Sequence, residues 1–194
     1  ARGDRVVLQA AKSVQAIAAA YAILRIGAIY VPIDPNAPME RVKTQLASTT
    51  PTCICADTAR KKTLAKIRNP LPCMDISQPI PMEIATRQIK HRANARTADD
   101  GAYILMTSGS TGVPKGILHT HKSGLAYANM AADLCALSAT DRVSHHTPLH
   151  FDMSIFDIFS TALAGACVVI IPEMHSKMPA SLATLVEEEQ ITVW

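Results

Sequence analysis

Short apolar runs of strand length alternate along this chain with longer stretches in which apolar side chains recur every three or four residues. Val6 to Ala10 is the first such run. It leads into Ser13 to Ile26, where Val14, Ile17, Ala18, Tyr21 and Leu24 repeat at helical steps, with Ser13 placed to cap the start and Gly27 to stop the end. Ile29 to Ile33, a helical Pro38 to Ala47 with proline at its opening, a strand-like Cys53 to Ala56 and a helical Ala59 to Ile67 continue the series. The order is βαβαβα.

The pattern breaks over residues 69 to 98. Prolines at 70, 72, 79 and 81 and then polar and basic residues of weak periodicity predict an irregular connector, with a soft boundary near residue 98. Beyond it the alternation returns: strand-like Ala102 to Met106, a glycine-rich turn, strand-like Gly116 to His119, and a helix over Thr120 to Leu137. Then follow strand-like Arg142 to Thr147, a helix over Ser154 to Ala164, strand-like Cys167 to Ile171 and a helix over Leu182 to Gln190. The expected product is an α/β fold of layered, mostly parallel sheets flanked by helices. Residues 1–98 form a first βα layer with its connector, and residues 99–194 form a second layer. The final Ile191-Thr-Val-Trp194 is an apolar β-type run with no polar tail, which reads as a cut through a larger domain.

Composition narrows the function. The chain has 194 residues, 48% of them hydrophobic and 18% charged, ample for a buried core. Nineteen basic and 16 acidic residues are scattered, giving +3, and aromatics are only 4%, so neither the basic face nor the stacking platform of a nucleic-acid binder is present. No apolar run approaches the ~20 residues that span a bilayer. Five cysteines, an odd number with no secretory signal ahead of them, predict a reducing, cytoplasmic setting. Cys53 and Cys55 fall on one face of a strand as small buried residues. The His119/His121 and His145/His146 pairs have no carboxylate at ligand spacing, so no metal site is expected from this sequence.

The chemistry concentrates in Thr107-Ser-Gly-Ser-Thr-Gly-Val-Pro-Lys-Gly116, which follows an apolar strand. Glycines 109, 112 and 116 let backbone N–H groups face an anion without a Cβ in the way. The hydroxyls of Thr107, Ser108, Ser110 and Thr111 can donate to phosphate oxygens, and Lys115 adds a compact positive charge. The lysine follows Pro114 and precedes Gly116, so this is neither a Walker loop nor a dinucleotide G-x-G-x-x-G turn. A flexible surface turn is the plain alternative.

TSGSTGVPKG resembles the phosphate-loop signature of the adenylate-forming superfamily, which includes acyl-CoA synthetases, luciferases and nonribosomal peptide adenylation domains. Leu24-Arg-Ile-Gly-Ala-Ile-Tyr-Val-Pro-Ile-Asp34 is similar to the upstream motif of the peptide-synthetase members, and His150-Phe-Asp-Met-Ser154 to their downstream substrate motif. The resemblance implies part of a large N-terminal domain that activates a carboxylate with ATP and releases pyrophosphate. It implies phosphate binding by Thr107, Ser108, Gly109, Ser110, Thr111, Gly112 and Lys115, and a substrate pocket lined by Phe151, Met153 and Phe156. Asp152 would pair with the α-ammonium of an amino acid, whereas aryl-acid members typically replace it.

The family's catalytic lysine, its Mg2+-holding glutamate and its ribose-binding aspartate are expected beyond Trp194. The acceptor implied is the phosphopantetheine thiol of a carrier protein, and the substrate motif looks somewhat like that of freestanding enzymes that load proline or another small amino acid. Two alternatives stand at this point: an acyl-CoA or aryl-acid ligase of the same superfamily, and a non-catalytic nucleotide-binding or assembly module. For single residues the plain readings also stand. Asp152 is placed to cap the helix that follows, and Met153 and Phe156 to pack in a core.

Overall fold

A computed structural model describes residues 2–67, 71–78, 97–107 and 114–194. They form two compact units, Ala1–Lys122 and Ser123–Trp194.

The first unit is built on a six-stranded sheet. Its strands are β1 (Arg5–Gln9), β2 (Ile29–Pro32), β3 (Cys53–Ala56), β4 (Cys73–Asp75), β5 (Gly101–Thr107) and β6 (Lys115–Thr120), in the spatial order β4-β3-β1-β2-β5-β6. Every pairing is parallel except β5 with β6. That exception follows from chain length: a short turn can join only antiparallel neighbours, whereas parallel strands need a crossover. Because β5 and β6 extend this sheet, the sheet itself runs across position 98.

The central strands are apolar on both faces, as a covered parallel strand must be: Val6, Val7 and Leu8 of β1 are all buried. Helix α1 (Val14–Arg25) connects β1 to β2, and α2 (Met39–Thr49) connects β2 back across β1 to β3. Right-handed crossovers in opposite directions put these two helices on opposite faces. On the α2 side, Val7, Val31, Ile33, Val42, Ile54, Ala56 and Leu64 form one buried cluster. Helix α3 (Thr58–Leu64) supplies Leu64, and its start is capped by Asp57, which accepts from the Arg60 amide at 3.0 Å.

The capping signals read from sequence hold at α1. Ser13 Oγ accepts from Ala16 N at 3.2 Å. Gly27 has φ +76°, the left-handed conformation that ends a helix cheaply only in glycine. Pro38 sits one residue earlier than expected, as the cap before Met39. The expectation of an irregular connector from residue 69 needs a correction, because Cys73–Asp75 forms an edge strand beside β3. Three residues leave no periodicity to read, and Pro72 still contributes its carbonyl to Ile54 N at 2.9 Å. Residues 69–70 and 79–96 of that connector lie outside the described residues.

In the second unit, β7 (Arg142–His145) and β8 (Cys167–Ile170) pair in parallel. Between them a helix spans residues 153–163, here α5, with α-helical ends (Met153–Ile155 and Thr161–Leu163) and a π-helical middle, Phe156–Ser160. Helix α4 (His121–Leu134) precedes β7, and α6 (Glu173–Ser176) and α7 (Pro179–Glu188) follow β8. The α6 turn gave no sequence signal, and α7 begins at Pro179, three residues before the apolar repeat does. The final apolar run returns to the sheet, where Ser144 N donates to Val193 O at 2.9 Å.

Thr161 is fully buried in α5, and its hydroxyl finds no hydrogen-bond partner among the described residues. Thr161→Val keeps the shape and removes that polar group, so it is expected to raise unfolding free energy by about 1 kcal/mol, read as a higher urea midpoint at unchanged m.

Candidate functional site

The glycine-rich turn is carried by the β5–β6 hairpin. Its arms are in register as Met106 with Gly116 and Thr107 with Lys115, and both Thr107 and Lys115 are exposed at the open end. Ser108, Gly109, Ser110, Thr111 and Gly112 lie outside the described residues. Thr107 Oγ1 donates to the Lys115 carbonyl at 3.3 Å across the hairpin. A bond that long is easily surrendered, so the hydroxyl remains usable toward a phosphate oxygen.

Gly116 has a different reason to be glycine than the one expected from sequence. It is a strand residue, and a Cβ there would lie 2.8 Å from Ile104 Cγ2 and 3.3 Å from Met106 Sδ. The close packing of β6 on β5 is a constraint on this glycine in its own right. Gly116→Ala is expected to cost about 1–3 kcal/mol in urea unfolding. The hairpin is braced at its other end, where His119 stacks on Tyr103 (ring centroids 4.7 Å, interplanar angle 14°) and Tyr103 meets Tyr30 of β2 at 5.6 Å. Burial and the neighbouring Tyr103 push the Tyr30 phenol far above its ordinary range.

The substrate motif belongs to the second unit. Phe151, Asp152 and Met153 form an exposed triplet at the head of α5, with Phe151 54% and Met153 51% accessible, and Phe156 is half-buried one turn on. Phe151 and Met153 are therefore not packed in a core of the described residues, whereas Phe156 is partly covered. Asp152 does act as a cap, with Oδ1 accepting from Met153 N at 2.9 Å. The other carboxylate oxygen has no partner among the described residues, so capping and substrate binding do not compete for the same atom.

Beneath the triplet lies a buried polar frame that sequence reading missed. Ser154 Oγ donates to the carbonyls of Leu149 (3.1 Å) and Phe151 (2.6 Å). Asp157 Oδ2 accepts from the Thr147 amide at 3.2 Å and lies 3.0 Å from His145 Nδ1. His145 is fully buried at the end of β7. Tyr127 of α4 is also close to the motif: burial pushes its phenol above the ordinary value, and the charges of Asp152 and Asp157 push the same way. The only sequence signal for the His145–Asp157 pairing was that two titratable residues occur at otherwise apolar positions. His145's sequence neighbour His146 packs against Trp194 at 4.9 Å. All five cysteines are free thiols, and burial pushes Cys55 up to about 12. Among the described residues no group of three or more His, Cys, Asp or Glu side chains is placed to hold a metal ion. Nor is any described helix long and apolar enough to cross a membrane.

The TSGSTGVPKG segment between the arms of the β5–β6 hairpin and the Phe-Asp-Met head of α5 are the two motif-bearing places of the chain. The chain belongs to the AMP-binding enzyme family, whose profile matches residues 1–194. It is 34% identical over 198 residues to an L-proline--[L-prolyl-carrier protein] ligase of Pseudomonas fluorescens, covering 100% of this chain and 40% of that enzyme. The corresponding ligase of Streptomyces coelicolor is 31% identical over 210 residues, with 99% and 39% covered. Among solved structures, a nonribosomal peptide synthetase bound to α-methyl-L-serine-AMP superposes with a TM-score of 0.85 at 27% identity, covering all of this chain and 21% of that one. A four-domain synthetase bound to AMP and glycine gives 0.83 at 26%, covering 98% and 14%. The chain therefore spans two fifths or less of the length of these relatives.

Proposed function

We propose that the full-length protein carrying this chain adenylates an amino acid with ATP, forming aminoacyl-AMP and pyrophosphate, and passes the aminoacyl group to the phosphopantetheine thiol of a carrier protein. The observation that carries the reading is Asp152, a carboxylate with an available oxygen set between exposed Phe151 and Met153, in a member of the AMP-binding enzyme family. The ligases of P. fluorescens and S. coelicolor are named for L-proline and a prolyl-carrier protein, which makes proline the first amino acid to try.

In this reading Thr107, Ser108, Ser110, Thr111 and the backbone N–H groups at Gly109 and Gly112 hold the β- and γ-phosphates, and Lys115 supplies supporting charge. Attack of the substrate carboxylate on the α-phosphorus breaks the bond to the β-phosphate, so negative charge grows on the departing pyrophosphate. Donors already aimed there lower the barrier without reorganising. Asp152 takes the α-ammonium by a charge-assisted hydrogen bond and so aims the carboxylate; Phe151, Met153 and Phe156 bound the side chain. Mg2+ would neutralise phosphate charge.

Exchange of labelled pyrophosphate into ATP by the full-length protein, across amino, aryl and fatty acids, tests the reading. Exchange driven by an amino acid is expected. Exchange driven only by an aryl or fatty acid would instead make it an aryl-acid or acyl-CoA ligase of the same family.

A further inference from the structure

We propose that Asp157 and His145 are positioning residues for the substrate carboxylic acid, because one carboxylate oxygen of Asp157 fastens both the end of β7 and the Thr147 amide, closing the loop that carries Phe151 and Asp152. The proposal rests on the assignment of the Phe151–Met153 head to the acid substrate.

Three observations carry it. Asp157 Oδ2, on the helix that follows the motif, is the meeting point of two groups at the start of the loop that precedes it, His145 Nδ1 at 3.0 Å and Thr147 N at 3.2 Å. A carboxylate oxygen offers only lone pairs, so the contact is made by Nδ1–H and holds the ring plane of His145. Next, the loop so closed is tied again from inside, by Ser154 Oγ to the Leu149 and Phe151 carbonyls and by Phe151 N to the Pro148 carbonyl at 3.0 Å. The side chains that make these ties, Ser154, Asp157 and His145, are buried, while the three side chains the loop presents, Phe151, Asp152 and Met153, are exposed.

The third observation is where this polarity sits. His145 is 0% and Asp157 5% accessible. A buried polar pair gains little stability over an apolar pair of the same volume, so its physical effect is to select one geometry. Asp157 is also the second residue of the π-helical stretch Phe156–Ser160, and single π turns inside α-helices recur at functional sites. The wider turn and the buried carboxylate coincide one helical turn below the ligand-facing residues.

A positioning role separates from a structural one by which substrate suffers. In the full-length protein, KM for the acid that drives exchange and KM for ATP are measured for wild type, Asp157→Ala, Asp157→Asn, His145→Leu and His145→Asn. A misplaced reacting group loses about 10- to 100-fold. Asp157→Ala and His145→Leu are therefore expected to raise KM for the acid at least tenfold and leave KM for ATP within about twofold. Asp157→Asn, whose amide oxygen can accept both bonds, and His145→Asn, whose amide N–H falls near the Nδ1 position, are expected to recover most of that loss. Equal changes in both KM values, no change in either, or Asn variants no better than Asp157→Ala and His145→Leu would overturn the proposal. If one of the disruptive variants does not accumulate folded, the other against its Asn counterpart decides. The outcome does not depend on which acid drives wild-type exchange: a wild type that used only an aryl acid would sink the amino-acid reading, and the same KM comparison with that acid would still test the clamp.

Discussion

Asp152→Asn is expected to raise KM for the amino acid at least about 100-fold while leaving KM for ATP and the melting temperature near wild type. The magnitude follows from what is left behind. Asp152 is exposed in the chain alone, so the magnitude belongs to the substrate-bound state, in which the pair with the α-ammonium is enclosed: removing one partner of such a pair costs about 3–5 kcal/mol, because the other charge stays desolvated and unmatched, and each 1.4 kcal/mol is tenfold in affinity. Asparagine is the informative replacement because it caps helices about as well as aspartate. It can still accept from Met153 N, the bond Asp152 makes at 2.9 Å. Stability is thereby held while the charge is removed. Asp152→Ala should lose both, adding about 1 kcal/mol of destabilisation. Steady-state exchange kinetics with a thermal melt on each variant measure the two effects separately. A large melting loss in Asp152→Asn with unchanged KM would return Asp152 to a purely structural role.

Ile33→Ala is expected to cost about 2–5 kcal/mol in unfolding free energy, the largest stability effect predicted here. Ile33 follows β2 directly, is 2% exposed and packs in the cluster with Val7, Val31, Val42, Ile54, Ala56 and Leu64. Three sheet strands, α2 and α3 converge on that cluster, so the cavity cannot close by moving one element. Urea unfolding followed by far-UV circular dichroism measures it. A loss below about 1 kcal/mol would mean that the neighbours relax into the space.

The central strands were legible because each is buried on both faces and therefore reads as an almost wholly apolar run, interrupted only by the buried Gln9: Val6 to Ala10, Ile29 to Ile33 and Cys53 to Ala56 lie within a residue or two of β1, β2 and β3. Ser13 and Gly27 were legible because capping chemistry is local. β4 was not, since three residues between prolines carry no period. Nor was the π-helical middle of α5, because its residues keep the same apolar spacing a plain α-helix would show. For the site, residue types at Thr107, Lys115 and Asp152 were readable from the motifs. Two things were not. Gly116 is constrained by the cross-strand neighbours Ile104 and Met106, and the Asp157–His145 contact joins a helix to a strand end. Both depend on which residues face each other across elements, and a one-dimensional pattern does not encode that.

Mass spectrometry of the full-length protein incubated with ATP, Mg2+ and a mixture of amino, aryl and fatty acids reads the product of the first reaction directly. The account predicts an aminoacyl-AMP adduct, with proline the first to look for, that disappears in Asp152→Asn. Adenylate formed only from an aryl or fatty acid, or aminoacyl-AMP formed equally well without the Asp152 carboxylate, would contradict it.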